Sequence, residues 1–282
     1  MSLSDFAAEH SLERVGARAP FFTYMREVWR RRDFTVTLAR YRMRSANERN
    51  RLGQLWVLLR PSFSALIYGL VFGFILAGSR PPNFVPYVII GVFMLEFYNS
   101  SMNGGAKSII SNTALVQSLP FPRMVLPLAK VLEEFFNFIP TLLLMAILVM
   151  IGGDLPNLQW LLMIPLVALF AILNTGVALV FARLTVHFRD LSQFTPFISR
   201  MIFYPSGVFF DPLTLVEGRP ILKAIFDWHP LFEVLSLGRG ILMDAYEIHW
   251  NYWWHLSVWA FGMLIIGTIF FWRAEERYGR EN

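Results

Sequence analysis

The chain contains no cysteine, which excludes disulfide bonds, thiolate metal sites and cysteine nucleophiles. Charged residues are scarce as well. They make up 16% of the 282 residues, whereas a soluble domain uses about 25% to cover its surface. Because 55% of the residues are hydrophobic, much of the protein surface must face something other than water. The composition predicts an integral membrane protein.

An enzyme signature is also missing. Residues 104–108 resemble the end of a phosphate-binding loop, but that loop needs glycine directly before its lysine, and Ala106 stands there instead. The five histidines lack the spacing of metal ligands. We therefore expect a chain that is not an enzyme and that binds no ATP, metal or other cofactor itself. Residues 1–20 contain no apolar run, so they do not predict a signal peptide, and the N-terminus is expected in the cytoplasm.

The sequence does contain long apolar runs. A helix needs about 20 largely apolar residues to cross the hydrocarbon core of a bilayer. Six stretches meet or approach this length: residues 55–77, 87–110, 126–151, 161–186, 194–210 and 253–272. The fifth stretch is the shortest, and it contains Arg200. The runs predict an all-α integral membrane protein with six transmembrane helices.

The basic residues predict how these spans are oriented. Most of the 25 lysines and arginines lie in residues 1–54, in the tail 273–282, and in or beside the loops after the second and fourth spans. Cytoplasmic loops carry an excess of Lys and Arg, so both termini are predicted to be cytoplasmic, on either side of a transmembrane domain at 55–272. In a membrane protein the net charge of +5 reflects orientation and contact with anionic lipid. We expect no nucleic-acid partner.

Three segments outside the spans have patterns of their own. Residues 21–45 combine arginines with apolar residues at helical spacing, which is typical of an amphipathic helix at the membrane interface; a solvated cytosolic helix is the alternative. Residues 111–125 form a cytoplasmic loop with short apolar pieces around two prolines. Residues 211–252 are predicted to be external. Two apolar parts of this segment favour a re-entrant structure shielded by protein or a water-filled cavity, and an amphipathic external lid is the alternative.

Polar residues within the predicted spans are candidates for function. Glu96 and Asn103 lie seven residues apart, which places them on one face of a helix. An ionisable group at that depth is a functional candidate, and the pair predicts either the lining of a wet pathway or a buried polar contact between helices. Lys130 and Glu134 have the i,i+4 spacing of a local ion pair at the membrane edge.

Aromatic residues recur at similar depths in three predicted spans. They include Tyr68, Phe72, Phe93, Phe97, Tyr98, Phe203 and Tyr204. Contact with lipid or packing between helices explains such rings. Sugars, however, stack their apolar faces on aromatic planes, so rings around a conduit would also suit a passing glycan.

Four ordered stretches resemble one family of membrane proteins. The first comprises residues 32–42 and 52–61, before and at the start of the first span. The second is the loop at 112–127, and the third is residues 188–191. The fourth is residues 229–231 with Arg239 downstream. Together they resemble the membrane subunit of ATP-binding-cassette exporters for lipid-linked polysaccharides, which serve O-antigen, capsule, teichoic acid and actinobacterial galactan.

The chain departs from the pattern of this family at four places. His229 replaces the usual asparagine, and the link at residues 43–51 is a few residues longer than usual. Gln117 stands where the family often has lysine, and Pro205, Ser206 and Gly207 stand where the family has Ser-Pro. Among the branches of the family, the arginine-rich N-terminus and the general likeness favour the galactan exporter. Permeases for teichoic acid, for another glycan or for a small lipid or drug are the alternatives. A membrane-embedded polyprenol glycosyltransferase is a further alternative, but it would need acidic clusters in the cytosolic loops, which offer only Asp190.

The resemblance implies a multi-pass protein of the plasma membrane in which two copies of this chain pair around a conduit. Two ATPase subunits, which bind ATP and Mg, would dock beneath the pair. The residues that the resemblance places at the ATPase are Asn112, Leu115, Leu119, Phe121, Pro122 and Arg123. Those implied at the lipid-pyrophosphate end of the substrate are Arg40, Tyr41, Arg42, Leu52 and Gly53, and guanidinium groups suit phosphate oxygens. Those implied in the external segment are His229, Pro230 and Arg239.

Overall fold

The structure, a computed structural model, describes residues 19–48, 51–75, 78, 81–216 and 218–278. Within these residues the secondary structure is helical and contains no strand, which confirms the all-α prediction. The helices are α1 (Phe21–Arg30), α2 (Arg32–Glu48), α3 (Trp56–Ile75), α4 (Phe84–Lys107), α5 (Thr113–Ser118), α6 (Val125–Ile151), α7 (Met163–His187), α8 (Leu191–Phe203), α9 (Pro212–Leu215), α10 (Pro220–Asp227), α11 (Pro230–Leu242) and α12 (Trp250–Trp272).

Five helices of the described chain are long and apolar enough to cross a membrane. They are α3, α4, α6, α7 and α12, and they coincide with the predicted first four spans and the last. The stretch predicted as the fifth span forms only α8, whose 13 residues reach about 20 Å. After Phe203 the chain turns, because Pro205 cannot donate a backbone hydrogen bond and Gly207 has a φ of 77°, a conformation that glycine adopts without strain.

Helix α4 lies at the centre of the bundle. It packs against α3, α6, α7, α8 and α11, and most of its side chains are buried. Apolar residues surround the first part of α4 on all sides, which is the pattern of a helix enclosed by others. By contrast, α3 and α6 direct many large apolar side chains outward. Lipid or another subunit must cover these outer faces.

Helices α7 and α12 approach each other backbone to backbone. A side chain added at Gly176 would collide with the backbone of Met263 and Leu264, and one added at Gly267 would collide with Gly176. Small residues at a helix interface allow this close approach inside a membrane. The glycines therefore fix the last span against the fourth predicted span.

The segment after α8 folds back into the bundle. Helix α11 has 13 residues, 11 of them buried, and it packs against α4, α7 and α12. Helix α10, in contrast, has no buried residue. In the segment predicted to be external, residues 211–252, the short helix α9 and the exposed helix α10 are therefore followed by a helix that the spans enclose.

The N-terminal helices and the segment after α12 meet at one end of the bundle. There Tyr24 of α1 is buried in an apolar cluster, here called the terminal cluster. Its members are Tyr24, Ile109, Val116, Phe121, Met124, Val125, Leu126, Leu179, Ala182, Val186, Phe271, Ala274 and Tyr278. Trp272 Nε1 also donates a hydrogen bond to the carbonyl of Ala19 at 3.0 Å. Both ends of the described chain thus lie on the same side of the bundle.

The predicted amphipathic segment 21–45 forms two helices, α1 and α2, that meet at Arg31. Its apolar stripe packs against the terminal cluster and includes Met25, Val28, Phe34 and Leu38. These four residues pack against protein and not against lipid. Other residues of α1 and α2 are therefore available for contact with lipid. They are Phe22, Trp29 and Tyr41, which are 85%, 69% and 69% exposed.

Candidate functional site

A charged cleft lies between α2, α3, α4 and α6. Its volume is about 360 Å³, and it opens beside the central helix. Its polar and charged lining includes Arg60, Glu96, Ser100, Lys130, Glu133 and Glu134. Helices α3, α4 and α6 are largely apolar elsewhere, so the cleft concentrates the charges of these three helices at one place.

The charges of the cleft are partly paired on α6. Lys130 Nζ lies 2.8 Å from Glu133 Oε1 and 2.6 Å from Glu134 Oε1, which confirms the predicted ion pair between Lys130 and Glu134. The second oxygen of Glu133 is buried without a hydrogen bond to any described residue. Three carboxylates face two basic groups in the cleft, and such an excess of negative charge repels anions. The cleft therefore suits a hydroxyl-rich or cationic group better than a phosphate.

Glu96 and Asn103 have different surroundings, although both lie on α4. Glu96 borders the cleft, where Ser100 Oγ donates a hydrogen bond to it at 3.5 Å. Asn103 Nδ2 donates to Ser199 Oγ of α8 at 3.0 Å. Of the predicted pair, Glu96 is therefore the residue that can meet a ligand in the cleft, and Asn103 joins two helices.

An apolar groove of about 310 Å³ adjoins the cleft. Leu52, Leu55 and Phe136 are among the residues that line it. Gly53 begins the turn into α3 with a φ of 49°, which requires a residue that tolerates the left-handed region. The guanidinium carbon of Arg40 lies 5.9 Å from the centre of the Phe136 ring. An apolar wall beside an exposed cation suits an amphiphile with an anionic head.

Arg42, which was predicted beside Arg40 at the substrate, contacts the protein instead. Its Nη2 donates a hydrogen bond to Asn112 Oδ1 at 2.8 Å. Burial lowers the pKa of Arg42, and the nearby Glu133 opposes this shift. Arg42 therefore joins α2 to the loop at 111–125, and Arg40 is the freer of the two arginines.

Some of the predicted conduit aromatics form one cluster between α3 and α8. The ring centres of Phe72 and Phe209 are 3.8 Å apart and stacked. Tyr68 lies 5.6 Å from Phe203 and 5.1 Å from Phe209. Tyr204 contacts this cluster through Phe203 and is 58% exposed. Tyr204 is thus the predicted conduit residue with the most accessible ring.

The other predicted conduit aromatics lie in the core. Phe97 stacks on Phe138 at 4.7 Å and contacts Phe170 at 5.4 Å. Phe93, Phe97 and Tyr98 are all buried. The structure brings these rings together with core residues of α6 and α7, so in this conformation they offer little ring surface to a ligand.

The loop at 111–125 has a buried base and an exposed tip. Val116 and Phe121 are buried in the terminal cluster, and Phe121 contacts the ring of Phe34 at 5.7 Å. Leu115 packs partly against the same cluster, whereas Leu119 is 48% exposed. Of the apolar residues predicted to contact a partner, Leu119 is therefore the one available on the surface.

Buried hydrogen bonds hold the end of this loop. Glu275 Oε1 accepts from the backbone N–H of Arg123 at 2.9 Å, and Glu275 Oε2 accepts from the Tyr24 hydroxyl at 2.7 Å. The backbone N–H of Met124 donates to the Tyr24 oxygen at 3.2 Å. Burial raises the pKa of both Glu275 and Tyr24, while the donors around Glu275 oppose this shift. The loop is thereby tied to α1 and to the segment after α12.

The predicted external residues stabilise the fold. His229 Nδ1 accepts a hydrogen bond from Phe232 N–H at 3.2 Å, so His229 caps the N-terminus of α11, a role that asparagine also performs. Burial lowers the pKa of His229, which favours the neutral ring that can accept this bond. Pro230 takes the first helical position, where its missing N–H costs nothing. Arg239 is buried, and its Nη2 reaches the carbonyls of Tyr87 and Val208.

Sequence reasoning missed Tyr24, Glu275 and Tyr87. No sequence pattern around Tyr24 indicates which residue it contacts. Glu275 lies in the C-terminal tail, where only the arginines were used, to predict the orientation of the spans. The Tyr87 hydroxyl is 2.9 Å from the carbonyl oxygens of both Gly207 and Phe210. These contacts join residues more than 100 positions apart, which no local pattern reveals.

Three relatives illustrate what the chain is similar to. The O-antigen export system permease protein RfbA of Klebsiella pneumoniae is 27% identical over 208 residues, which are 71% of this chain and 80% of that protein. The polysialic acid transport protein KpsM of Escherichia coli is 25% identical over 231 residues, 80% of this chain and 87% of that protein. The capsule polysaccharide export inner-membrane protein CtrC of Neisseria meningitidis serogroup A is 30% identical over 57% of this chain and 62% of that protein.

A family match covers the whole region that carries the cleft, the loop and the buried helix α11. The ABC-2 type transporter family matches residues 34–243, from the middle of the N-terminal helices to the end of α11. The match is continuous across four of the five long helices and includes the loop at 111–125. The chain belongs to the ABC-2 type transporter family.

Proposed function

We propose that this chain is the permease subunit of an exporter that moves a lipid-linked polysaccharide across the plasma membrane, driven by ATP hydrolysis in a separate subunit. The loop at 111–125 carries the proposal, because its base is buried and its exposed tip presents Leu119. An apolar residue held on a firm base suits a groove of an ATPase. Relatives named as O-antigen and capsule export permeases support the substrate class.

The proposed assembly contains two copies of this chain and two ATPase subunits that bind ATP and Mg. The outward apolar faces of α3 and α6 supply the surface for lipid and for the second copy. A polymer with a hydroxyl-rich surface fits between two such chains if polar groups and aromatic rings line its path. Tyr204 and the charged cleft offer groups of this kind.

The proposed topology has six crossings, a re-entrant α11 and both termini in the cytoplasm. The packing of α1 against the segment after α12 supports an even number of crossings. Five helices are long enough to cross, and in this proposal α8 with the turn that follows it supplies a sixth, shorter crossing. The position of α11 inside the bundle supports the re-entrant segment, since surrounding protein shields its ends.

The proposed substrate is galactan on a polyprenyl pyrophosphate. The groove beside Leu52 and Phe136 is apolar and suits a hydrocarbon chain, and Arg40 at its edge suits the pyrophosphate. The exposed aromatics Phe22, Trp29 and Tyr41 of the N-terminal helices suit the membrane interface. Teichoic acid and other lipid-linked glycans fit the same surface.

The substitution Leu119→Asp tests the coupling loop. We expect the ATPase to co-purify with the variant at a level reduced about tenfold, because a charge replaces an apolar contact at the centre of a small interface. Export of the polysaccharide should fall in parallel. Pull-down of the ATPase from detergent extracts and staining of surface glycan measure the two effects.

The matched control for this test is Ser118→Asp, which adds the same charge at the neighbouring exposed position. It should retain the ATPase and export. If Leu119→Asp retains both as well, the loop does not bind the ATPase as proposed.

A further inference from the structure

Glu275 contacts α1 through one of its carboxylate oxygens and the end of the loop at 111–125 through the other. It is 5% exposed. One oxygen binds the backbone N–H of Arg123, whose guanidinium Nη1 also lies 3.5 Å away, and the other binds the Tyr24 hydroxyl. Every one of these partners is a donor, and hydrogen bonds to an ionised group are stronger than neutral ones.

Tyr24 extends this connection. Its oxygen donates to Glu275 and accepts from the backbone N–H of Met124, so a single hydroxyl joins α1 to both the tail and the loop. The ring itself is buried in the terminal cluster. Moving the loop away from α1 would therefore leave buried polar groups without partners, which is costly in an apolar site.

A second contact joins the loop to α2. Arg42 donates to Asn112 at the start of the loop, while Glu275 binds its end at Arg123. The loop is thus attached at both of its ends to the N-terminal helices. Helix α2 in turn borders the charged cleft through Ala46 and the apolar groove through Met43.

We propose that Glu275 is a positioning residue that makes α1, the loop at 111–125 and the segment after α12 move as one body, so that displacement of the loop is passed to the N-terminal helices beside the groove. The inference rests on the proposed function in one respect: the ATPase is what displaces the loop. The connection itself belongs to this chain alone and can be measured without the ATPase.

The absence of cysteine makes the measurement direct. Spin labels on Arg30→Cys in α1 and Ser118→Cys at the end of α5, both exposed positions, report the distance from α1 to the loop by pulsed dipolar spectroscopy. The full chain is placed in lipid nanodiscs, and labelled chain is diluted with unlabelled chain so that distances within one protomer dominate. The parent should give one narrow distance distribution.

Glu275→Ala should add a second, broad population in which the loop is released. Tyr24→Phe keeps the packed ring and removes only the hydroxyl, which makes two buried hydrogen bonds. It should raise the released population by more than the factor of about five that is expected for the loss of one such bond. Glu275→Gln, which keeps an acceptor, should restore part of the narrow distance. Asp33→Ala is the control, since it removes a carboxylate whose side chain is 91% exposed and should change nothing.

Further measurements test whether Glu275 makes α1 and the loop at 111–125 move together. The effect of combining Tyr24→Phe with Glu275→Ala should be smaller than the sum of the two separate effects, because both variants remove the hydrogen bond between Tyr24 and Glu275. In the complex with the ATPase, ATP and vanadate should leave the distance of the parent unchanged and should shift it in Glu275→Ala. Export per ATP hydrolysed should fall in Glu275→Ala while ATP hydrolysis continues.

An unchanged narrow distribution in Glu275→Ala, or a nucleotide-dependent distance in the parent, overturns the proposal. Failure of the proposed function looks different: Leu119→Asp would retain the ATPase, while the distances in the isolated chain would still respond to Glu275→Ala. A loss of the whole protein in Glu275→Ala leaves Tyr24→Phe to decide, since that variant keeps the apolar packing.

Discussion

Arg239 shows how a single buried charge is accommodated in an apolar bundle. Its guanidinium carbon lies 3.3 Å from the centre of the Tyr87 ring, and its Nη2 reaches two backbone carbonyls. Gly91 leaves room for it, because a side chain there would come within 3.0 Å of that nitrogen. The residue thereby joins α11, α4 and the turn after α8.

Arg239→Ala should destabilise the protein by about 3 kcal/mol, because it leaves buried carbonyls without donors and opens a cavity. Thermal unfolding in detergent, followed by tryptophan fluorescence, should show a clear fall in the midpoint. Arg219→Ala removes the same side chain at an exposed position and should leave the midpoint unchanged. Equal unfolding midpoints for the two variants would show that Arg239 does not stabilise the fold.

A substitution at Tyr204 tests whether the aromatic residues line a conduit or only pack against their neighbours. Its ring is 58% exposed, so Tyr204→Leu removes a stacking surface while keeping an apolar side chain. We expect slower export with normal assembly, measured as glycan delivered to the cell surface. Phe170→Leu, in the core beside Phe97, should lower stability and leave the export rate of the folded protein unchanged; the reverse pattern would contradict an aromatic path.

At the scale of the helices, the backbone contact between α7 and α12 depends on two glycines. Gly176→Ala should lower the unfolding midpoint, because the new methyl group meets the backbone of Met263 and Leu264, and overpacking costs about 1–3 kcal/mol. Gly262→Ala, also on α12, has nothing within 4 Å of the new carbon. It should be neutral or slightly stabilising, since alanine favours a helix, and a loss of stability there instead would refute the assignment.

The helices that cross the membrane were predictable, and the contacts between them were not. Apolar length alone located α3, α4, α6, α7 and α12, because hydrophobicity over about 20 residues is a local property. The end of α8 was missed since the turn at Pro205 and Gly207 interrupts a stretch that remains apolar. The hydrogen bonds of Glu275 and Arg239 join residues that are distant in the sequence. No short sequence pattern indicates which distant residues will be close in the fold.

For the candidate site, the sequence predicted functional roles for Leu119 and Glu96. It predicted the same roles for nearby residues that the structure shows to be buried, and it could not distinguish the two groups. Phe97 and Leu119 are both apolar, and each lies in a segment that was predicted to be functional. Phe97 is buried in the core, whereas Leu119 is exposed on the surface. Burial of a given ring depends on which helix lies against it. This is why the predicted aromatic path divided into a core group and an accessible one.

At the scale of the whole molecule, α1 and the segment after α12 meet on one side of the bundle, which supports the proposed topology. Cysteine at Ile221 in α10, which is 77% exposed, should react with a membrane-impermeant maleimide added to intact cells. Cysteine at Ser118 should react only after the membrane is opened. Labelling of both positions from outside would contradict six crossings, and the parent without cysteine provides the blank.

The close contact of α7 with α12 also has a mechanical consequence. Two helices that touch through their backbones cannot slide past one another without opening a gap, so this pair serves as a rigid frame. Helix α3 presents most of its large side chains outward, so the rest of this chain holds little of its surface. Changes in bilayer thickness or fluidity should therefore displace α3 first, and the exporter should respond to its lipids through that helix while the frame stays still.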